Sequence, residues 1–195
     1  QTCALPIFMA SSVIVSQSKF WDLRDDWRNT KKQAATAILA GVYDEDIFWR
    51  LHPHPWNIFQ KAQVLEQDSL GIYSLWFSAF PGKTLSKIFT LVNSDRCAGY
   101  LDTAREISSD RSGYRTSGWA IDQASKKPPR LVLFAAGETI TGLAFPGASR
   151  PDVERLFPTV SYAGWRGHAK LGADETLHAY AVLRSEEHTS ELQSP

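Results

Sequence analysis

The fold is decided by the stretch 118–180, which opens as GWAIDQASKKPPRLVLFAAGETITGLAF over residues 118–145. Apolar runs of a few residues are separated here by Gly, Pro and Asp. Short runs bounded by turn residues are typical of a domain built from short β-strands. Following the same pattern in both directions predicts about seven strands. They are Ser86–Val92, Cys97–Ile107, Tyr114–Ile121, Arg130–Ala135, Thr139–Phe145, Tyr162–Lys170 and Thr176–Leu183.

The last of these strands indicates which face of the sheet is buried. Its apolar residues occupy every second position: Leu177, Ala179, Ala181 and Leu183. Because side chains alternate between the two faces of a strand, all four point to one side. Ala136-Gly137-Glu138 is expected to form a hairpin turn between the fourth and fifth strands. About seven short strands in roughly 100 residues have the size and rhythm of a β-sandwich. We therefore predict an antiparallel β-sandwich over residues 83–183.

The part of the chain before residue 83 has a helical pattern instead. Apolar residues between Phe8 and Ala40 recur three, four and seven positions apart, and Gly41 is a natural helix stop. Asp44 is expected to cap a short helix, and Pro55 to begin another that reaches Gln67. Pro81-Gly82 is a turn signal at which we place a boundary. The predicted class is α+β, with a helical connector region at 8–82 before the sandwich.

The start of the first predicted helix has two interpretations. In the first, Ala10–Val15 is the end of a membrane span, and Phe20, Trp21 and Trp27 lie at the level of the lipid headgroups. In the second, the segment is an ordinary amphipathic helix. The sequence leaves both open.

The two ends of the chain are expected to have a different origin from the rest. Residues 184–195, RSEEHTSELQSP, match the translation of a common sequencing-library adapter, and residues 1–7, QTCALPI, match the translation of part of its reverse complement. Such segments must be set aside before the fold is considered. We expect 1–7 and 184–195 to be adapter-derived scars that pack little against a natural fragment from Phe8 to Leu183.

Charge and cysteine content exclude several classes of function. Without the two scars the chain has 20 basic and 18 acidic residues, a net charge of +2. A nucleic-acid-binding domain usually has a clear basic excess, so we expect no nucleic-acid partner. Cys97 is the only natural cysteine, which argues against a cysteine-based metal site. No phosphate-binding glycine loop, metal-ligand set or nucleophile elbow is present, so no cofactor, no metal and no catalytic residue is predicted.

The order and spacing of several short motifs resemble a known arrangement. They are Gly118-Trp119-Ala120-Ile121-Asp122, the Gly137 hairpin, Gly142-Leu143-Ala144, Arg150-Pro151-Asp152-Val153, Gly164-Trp165 and Ala179-Tyr180-Ala181. Together they resemble the C-terminal β domain of bacterial polytopic membrane proteins and glycosyltransferases of cell-surface polysaccharide synthesis. The resemblance covers Cys97 to Leu183 and, more loosely, Gly41 to Phe80. It implies an extracytoplasmic location in the bacterial cell envelope and a partner in the upstream membrane domain of the same chain.

Three residues are candidates for ligand binding. In a sugar-binding platform, aromatic rings stack on the sugar and a carboxylate accepts hydrogen bonds from its hydroxyl groups. The side chains needed for such a platform are those of Trp119, Asp122 and Trp165. The competing interpretation, which we favour, places both tryptophans in the core, where Gly118 and Gly164 permit close approach of the backbone. His168 and His178 lie on consecutive predicted strands, but a shared site for them is the less favoured interpretation.

The sequence therefore leads to one functional expectation and two alternatives. We expect a non-catalytic accessory region of a bacterial envelope membrane protein, linked to surface polysaccharide. The first alternative is a carbohydrate-binding β-sandwich module with a glycan ligand. The second is a fragment of a membrane glycosyltransferase whose active site lies upstream.

Overall fold

The computed structural model describes residues 26–91 and 96–183, together with the backbone of residues 188–192. The helices are α1 (residues 26–39), α2 (Glu45–Trp49), α3 (Pro55–Gln67), α4 (Leu85–Ile88) and α5 (Pro151–Leu156), with a 3₁₀ turn at Gly71–Ser74. The strands are β1 (Thr90–Leu91), β2 (Cys97–Ile107), β3 (Asp110–Asp122), β4 (Leu131–Ala136), β5 (Thr139–Ala148), β6 (Gly164–Lys170), β7 (Leu177–Val182) and β8 (His188–Leu192). Among the described residues no helix has both the length and the hydropathy needed to cross a membrane.

The strands form one curled sheet in the order β1-β8-β7-β4-β5-β6-β3-β2. Neighbouring strands are antiparallel except β1 and β8, which are parallel. The predicted α+β class is confirmed, because helices precede a mostly antiparallel sheet. The predicted seven-stranded sandwich is not confirmed. Alternating apolar residues show only that one face of a strand is buried. That face can be buried against a second sheet, as in a sandwich, or against the rest of the same sheet when the sheet curls.

The concave face of the curled sheet encloses the main apolar core. Phe134 and Trp165 are its largest side chains, with ring centroids 5.5 Å apart. Alanines at 120, 144, 169, 179 and 181 surround them. Gly118 lies opposite Trp165 across β3 and β6, and a Cβ there would overlap the indole ring. Small residues around two large rings allow the sheet to curl tightly, so that Cα atoms of β2 and β8 come within 8 Å of each other.

The helical region covers the outer face of β4, β5 and β7. Leu39 at the end of α1 and Leu85 of α4 pack there with Leu133, Leu143 and Tyr180. The connector after α3 joins the same cluster through partly buried side chains: Ile72, Tyr73, Phe77 and Phe80. The helices and the sheet thus share one apolar cluster.

Several local predictions for the helices are confirmed. Gly41 ends α1 with φ +67°, a left-handed conformation that glycine adopts without strain. Asp44 caps α2, and its side chain accepts a hydrogen bond from the Ile47 amide at 3.2 Å. Pro55 is the first residue of α3, where its missing amide proton costs nothing.

One local prediction for the β region is wrong. The predicted strand Ser86–Val92 is instead the short helix α4 followed by the two-residue strand β1, because a short apolar run does not distinguish the two structures. At the start of α5, Arg150 occupies the N-cap position and no side chain caps the helix. Arg150 instead pairs with Asp152, at 2.7 Å, and with Asp102 of β2.

The expectation that residues 184–195 pack little is wrong for the backbone of β8. Residues 188–192 pair with β7 along Val182–Thr189, Ala181–Ser190, Tyr180–Glu191 and Ala179–Leu192. The physical reason is the open edge of β7. An edge strand presents a row of unpaired amides and carbonyls, and an extended segment of almost any sequence can satisfy them. The adapter origin of this segment stays a prediction.

Candidate functional site

One row of cross-strand neighbours changes from apolar to polar as it crosses the outer face of the sheet. In β7, β4 and β5 the row consists of Tyr180, Leu133 and Leu143. In β6, β3 and β2 it continues as His168, Arg115 and Arg105. The change falls between β5 and β6. The outer face therefore has an apolar half, formed by β4, β5 and β7, and a polar half, formed by β2, β3 and β6.

Asp44 is the centre of a buried network over the polar half. Its Oδ2 accepts a hydrogen bond from Arg115 Nε at 2.8 Å and lies 2.8 Å from His168 Nε2. Its Oδ1 accepts from Arg115 Nη2 at 2.6 Å. Beyond the imidazole, Thr36 Oγ1 of α1 lies 2.8 Å from His168 Nδ1. One carboxylate thus joins α2 to β3 and β6, and the imidazole extends the connection to α1.

The protonation of the network follows from its surroundings. Burial alone would raise the pKa of Asp44, but hydrogen bonds from His168 and Arg115 outweigh burial and lower it to about 2. Burial lowers the pKa of His168, against the opposing effect of the Asp44 carboxylate. Near neutral pH the carboxylate is therefore ionised and the imidazole is neutral. Nε2 must then carry the ring proton, because an ionised carboxylate only accepts. Nδ1 accepts from the Thr36 hydroxyl, which shares its single proton between Nδ1 and the Gln33 carbonyl, each 2.8 Å away.

A hydroxyl, an imidazole and a carboxylate in hydrogen-bonded sequence form the kind of group used in nucleophilic catalysis. Here all three side chains, Thr36, His168 and Asp44, are fully buried, with 0% exposure. A nucleophile must reach its substrate, and this hydroxyl faces only protein atoms. The group therefore acts as a structural connection between the helices and the sheet.

An open cleft lies beside the buried network. Its volume is about 540 Å³, and its walls come from α1, α2, β2, β3 and β6. Arg50 at the end of α2, Arg105 of β2 and Arg166 of β6 line it, all three exposed. The Thr103 and Ser117 hydroxyls, 2.8 Å apart, lie on the same wall. The arrangement is suited to binding a negatively charged ligand.

The three site residues predicted from sequence are not brought together as a platform. Trp165 is 1% exposed and belongs to the concave core. Trp119 follows Gly118, the partner of Trp165, by one position, so it lies on the outer face, where it packs half-buried against Phe157 of α5. The Asp122 carboxylate is fully buried, and it accepts hydrogen bonds from the Ala124 amide at 2.9 Å and from the Ser125 hydroxyl at 2.8 Å. Asp122 therefore stabilises the turn after β3.

His168 and His178 do not meet. They lie on β6 and β7, and β4 and β5 are inserted between these strands. His178 lies opposite Ala135 of β4, whereas His168 contacts Asp44 and Thr36. The described ranges contain no cluster of three or more His, Cys, Asp or Glu side chains suited to a metal ion.

The Asp44 network and the arginine cleft were missed by sequence reasoning. The sequence around Asp44 indicated only that it caps a helix, and this accounts for one of its hydrogen bonds, the one from the Ile47 amide. Its other partners are 71 and 124 residues away along the chain. The chain matches no protein-family model, no curated protein and no solved structure.

Proposed function

We propose that this chain is a non-catalytic accessory region of a bacterial envelope membrane protein, linked to surface polysaccharide, whose helical region lies against the membrane on the extracytoplasmic side. One observation supports this proposal most strongly: large apolar side chains are exposed on the helical region far more than on the sheet. The polysaccharide link rests on the motif resemblance alone.

The distribution of exposed apolar side chains is one-sided. Eight lie between residues 27 and 76: Trp27, Trp49, Trp56, Val64, Leu65, Leu70, Leu75 and Trp76. Beyond residue 80 the described chain exposes only three of comparable size: Leu91, Leu156 and Tyr162. Contiguous exposed apolar surface marks an interaction site. Four of the eight are tryptophans, which are enriched where a protein meets the interface between lipid headgroups and water.

Helix α3 shows the same feature within one element. Of its thirteen residues only Pro55 and Ala62 are buried. Trp56, Val64 and Leu65 are exposed on the same short helix, and a helix that leaves its apolar side chains in water is weakly attached unless a further surface covers them. A membrane interface would supply that surface.

The buried network supports the non-catalytic part of the proposal. The one hydroxyl–imidazole–carboxylate group in the described residues is closed to solvent, and its pKa pattern fits a neutral imidazole bonded to an ionised carboxylate. The open cleft beside it carries arginines, which bind anions and do not act as general bases near neutral pH.

The experiment is flotation of the chain with vesicles of phosphatidylethanolamine and phosphatidylglycerol. We expect the chain to float with the vesicles, and Trp56→Gln with Trp76→Gln to reduce the bound fraction severalfold. Leu156→Gln with Tyr162→Gln is the matched control, because these apolar side chains are even more exposed than the two tryptophans but belong to the β region. A chain that stays at the bottom of the gradient, or a control as impaired as the tryptophan variant, would contradict the membrane part. Turnover of a nucleotide sugar by the chain would contradict the non-catalytic part.

A further inference from the structure

We propose that the cleft lined by Arg50, Arg105 and Arg166 is a binding site for a ligand that carries oxyanions, either carboxylates or phosphates. This site lies over the polar half of the sheet and does not depend on the membrane proposal. Among the described residues, carboxylates of the protein pair with one arginine of the cleft, Arg115, and not with the other three.

Arg115 is the arginine of the cleft whose charge is balanced by carboxylates of the protein. It lies at the cleft wall, and its guanidinium bonds the carboxylates of Asp44 and Asp46, with Nη2 2.6 Å from Asp44 Oδ1 and 3.2 Å from Asp46 Oδ2. These bonds raise the pKa of Arg115 further above its ordinary value. The charge of Arg115 is thus balanced within the protein.

Arg50, Arg105 and Arg166 have no carboxylate within ion-pair distance among the described residues. The cleft has two acidic side chains in its wall: Asp46, already bonded to Arg115, and Glu106. Glu106 follows Arg105 directly along β2, so the two side chains point to opposite faces of the sheet. Within the part of the chain that the structure describes, three guanidinium groups therefore share one cleft without an ion-pair partner.

The strand register places the cleft arginines beside hydroxyl groups. Arg105 lies directly opposite Arg115, whose charge Asp44 and Asp46 already balance. In the neighbouring row, Arg166 of β6 lies opposite Ser117, which in turn lies opposite Thr103. Because the Thr103 and Ser117 hydroxyls bond each other, a bound oxyanion would accept a hydrogen bond from the one whose proton is not used in that bond.

Guanidinium groups and the dimensions of the cleft define the ligand class. A guanidinium donates two parallel hydrogen bonds to a carboxylate or phosphate, and this geometry favours arginine wherever such groups are recognised. A volume of about 540 Å³ lies within the range of small-molecule sites. Three guanidiniums in that volume are suited to a ligand with two or more oxyanions.

The test uses citrate as the carboxylate probe and inorganic pyrophosphate as the phosphate probe. The ionic strength is kept constant within each titration, and the titration is then repeated at higher salt. We expect at least one probe to raise the thermal midpoint of the wild type and to bind by calorimetry, more weakly as salt is increased. Arg105→Gln and Arg166→Gln should each weaken binding about tenfold or more, the loss expected for a charged hydrogen bond. The probe that binds more tightly decides between a carboxylate and a phosphate ligand.

Arg155→Gln is the matched control, because Arg155 is an exposed arginine of α5 outside the cleft. It should bind the probe as the wild type does. Arg105→Lys keeps the charge and should retain part of the affinity, which separates loss of binding from loss of folding. The proposal is overturned if neither probe binds, or if the Arg105→Gln/Arg166→Gln double variant binds as tightly as the wild type. Failure of vesicle flotation would leave this result unaffected.

Discussion

The apolar and polar halves of the outer sheet face attach helices in different ways. Over the apolar half, Leu133, Leu143 and Tyr180 pack against apolar side chains of α4 and the connector, and backbone hydrogen bonds from Gly82 to Ile140 and from Leu85 to Glu138 join the same segments. Over the polar half, α1 and α2 are held through Thr36 and Asp44, which make directed hydrogen bonds to β3 and β6. The same row of cross-strand neighbours supplies both, so the difference lies in side-chain chemistry and not in backbone geometry.

The two kinds of attachment differ in what they contribute. Burying one large aliphatic side chain stabilises a fold by about 1.5–3 kcal/mol. A buried ion pair contributes little net stability, because the cost of removing two charges from water offsets their attraction. A buried ion pair nevertheless requires that the two charged groups lie at hydrogen-bond distance in a fixed orientation. We infer that the apolar half supplies most of the stability, whereas the polar half fixes where α2 lies on the sheet.

Removing the carboxylate of Asp44 should have the largest effect. Asp44→Ala leaves His168 without its acceptor and Arg115 with only the exposed Asp46, and it removes the cap of α2, so the free energy of unfolding should fall by about 3–5 kcal/mol. Denaturant unfolding followed by circular dichroism measures it. The matched control is Asp46→Ala, because Asp46 bonds the same arginine from an exposed position. It should cost about 1 kcal/mol or less. Equal losses for the two variants would contradict the buried network.

Shortening a buried side chain in the apolar half should have the next-largest effect on the free energy of unfolding. Leu143 is fully buried in the row beside His168, so Leu143→Ala should cost about 2–5 kcal/mol through lost packing and a residual cavity. Leu156, on α5, is 74% exposed and provides the control. Leu156→Ala should change stability by about 0.5 kcal/mol at most. The comparison of the halves fails if Leu143→Ala is as mild as the control.

The Thr36 hydroxyl should have an intermediate effect. Thr36→Val keeps the shape but leaves His168 Nδ1 buried without its donor, which should cost about 1–3 kcal/mol in chemical denaturation. Thr30→Val is a close control in the same helix. Both hydroxyls bond a carbonyl of their own helix, but among the described residues that of Thr30 has no further partner beyond the Asp26 carbonyl, at 2.9 Å. It should cost about 1 kcal/mol or less. Similar losses would remove Thr36 from the network.

The pH dependence of the free energy of unfolding should be the smallest effect, when it is counted per pH unit. The folded-state pKa of His168 is lowered from its ordinary value of 6.5, so below about pH 6.5 the unfolded chain binds a proton that the native chain does not. Stability should therefore fall as the pH is lowered from 7 to 5, by up to about 1.4 kcal/mol per pH unit. His168→Gln should flatten this slope. A steeper slope in His168→Gln would contradict a neutral buried imidazole.

Local patterns predicted the elements better than their arrangement. The limits of β2, Cys97–Ile107, match the prediction at both ends, because a period-two pattern and turn residues on each side define them. The cap at Asp44 was also predicted from neighbouring residues. Its bonds to Arg115 and His168 depend on strand order, which brings β6 beside β3 and inserts β4 and β5 between β6 and β7. No local pattern carries that information.

The candidate sites show the same limit. The sequence offered Trp119, Asp122 and Trp165 as a group, but one position of offset along paired strands places the two tryptophans on opposite faces. The arginines of the cleft come from three separate segments, α2, β2 and β6, and none of them stands out locally.

The central claim is that Thr36, His168 and Asp44 form a closed structural connection and not a reactive centre. Nitrogen-15 NMR of the imidazole tests it most directly. At pH 7 we expect a neutral ring with a slowly exchanging proton on Nε2 and no proton on Nδ1, since Asp44 accepts from the first atom and Thr36 donates to the second. The ring should stay neutral well below pH 6.5. A ring that titrates near pH 6.5 with rapidly exchanging protons would show that solvent reaches it, and would contradict the account.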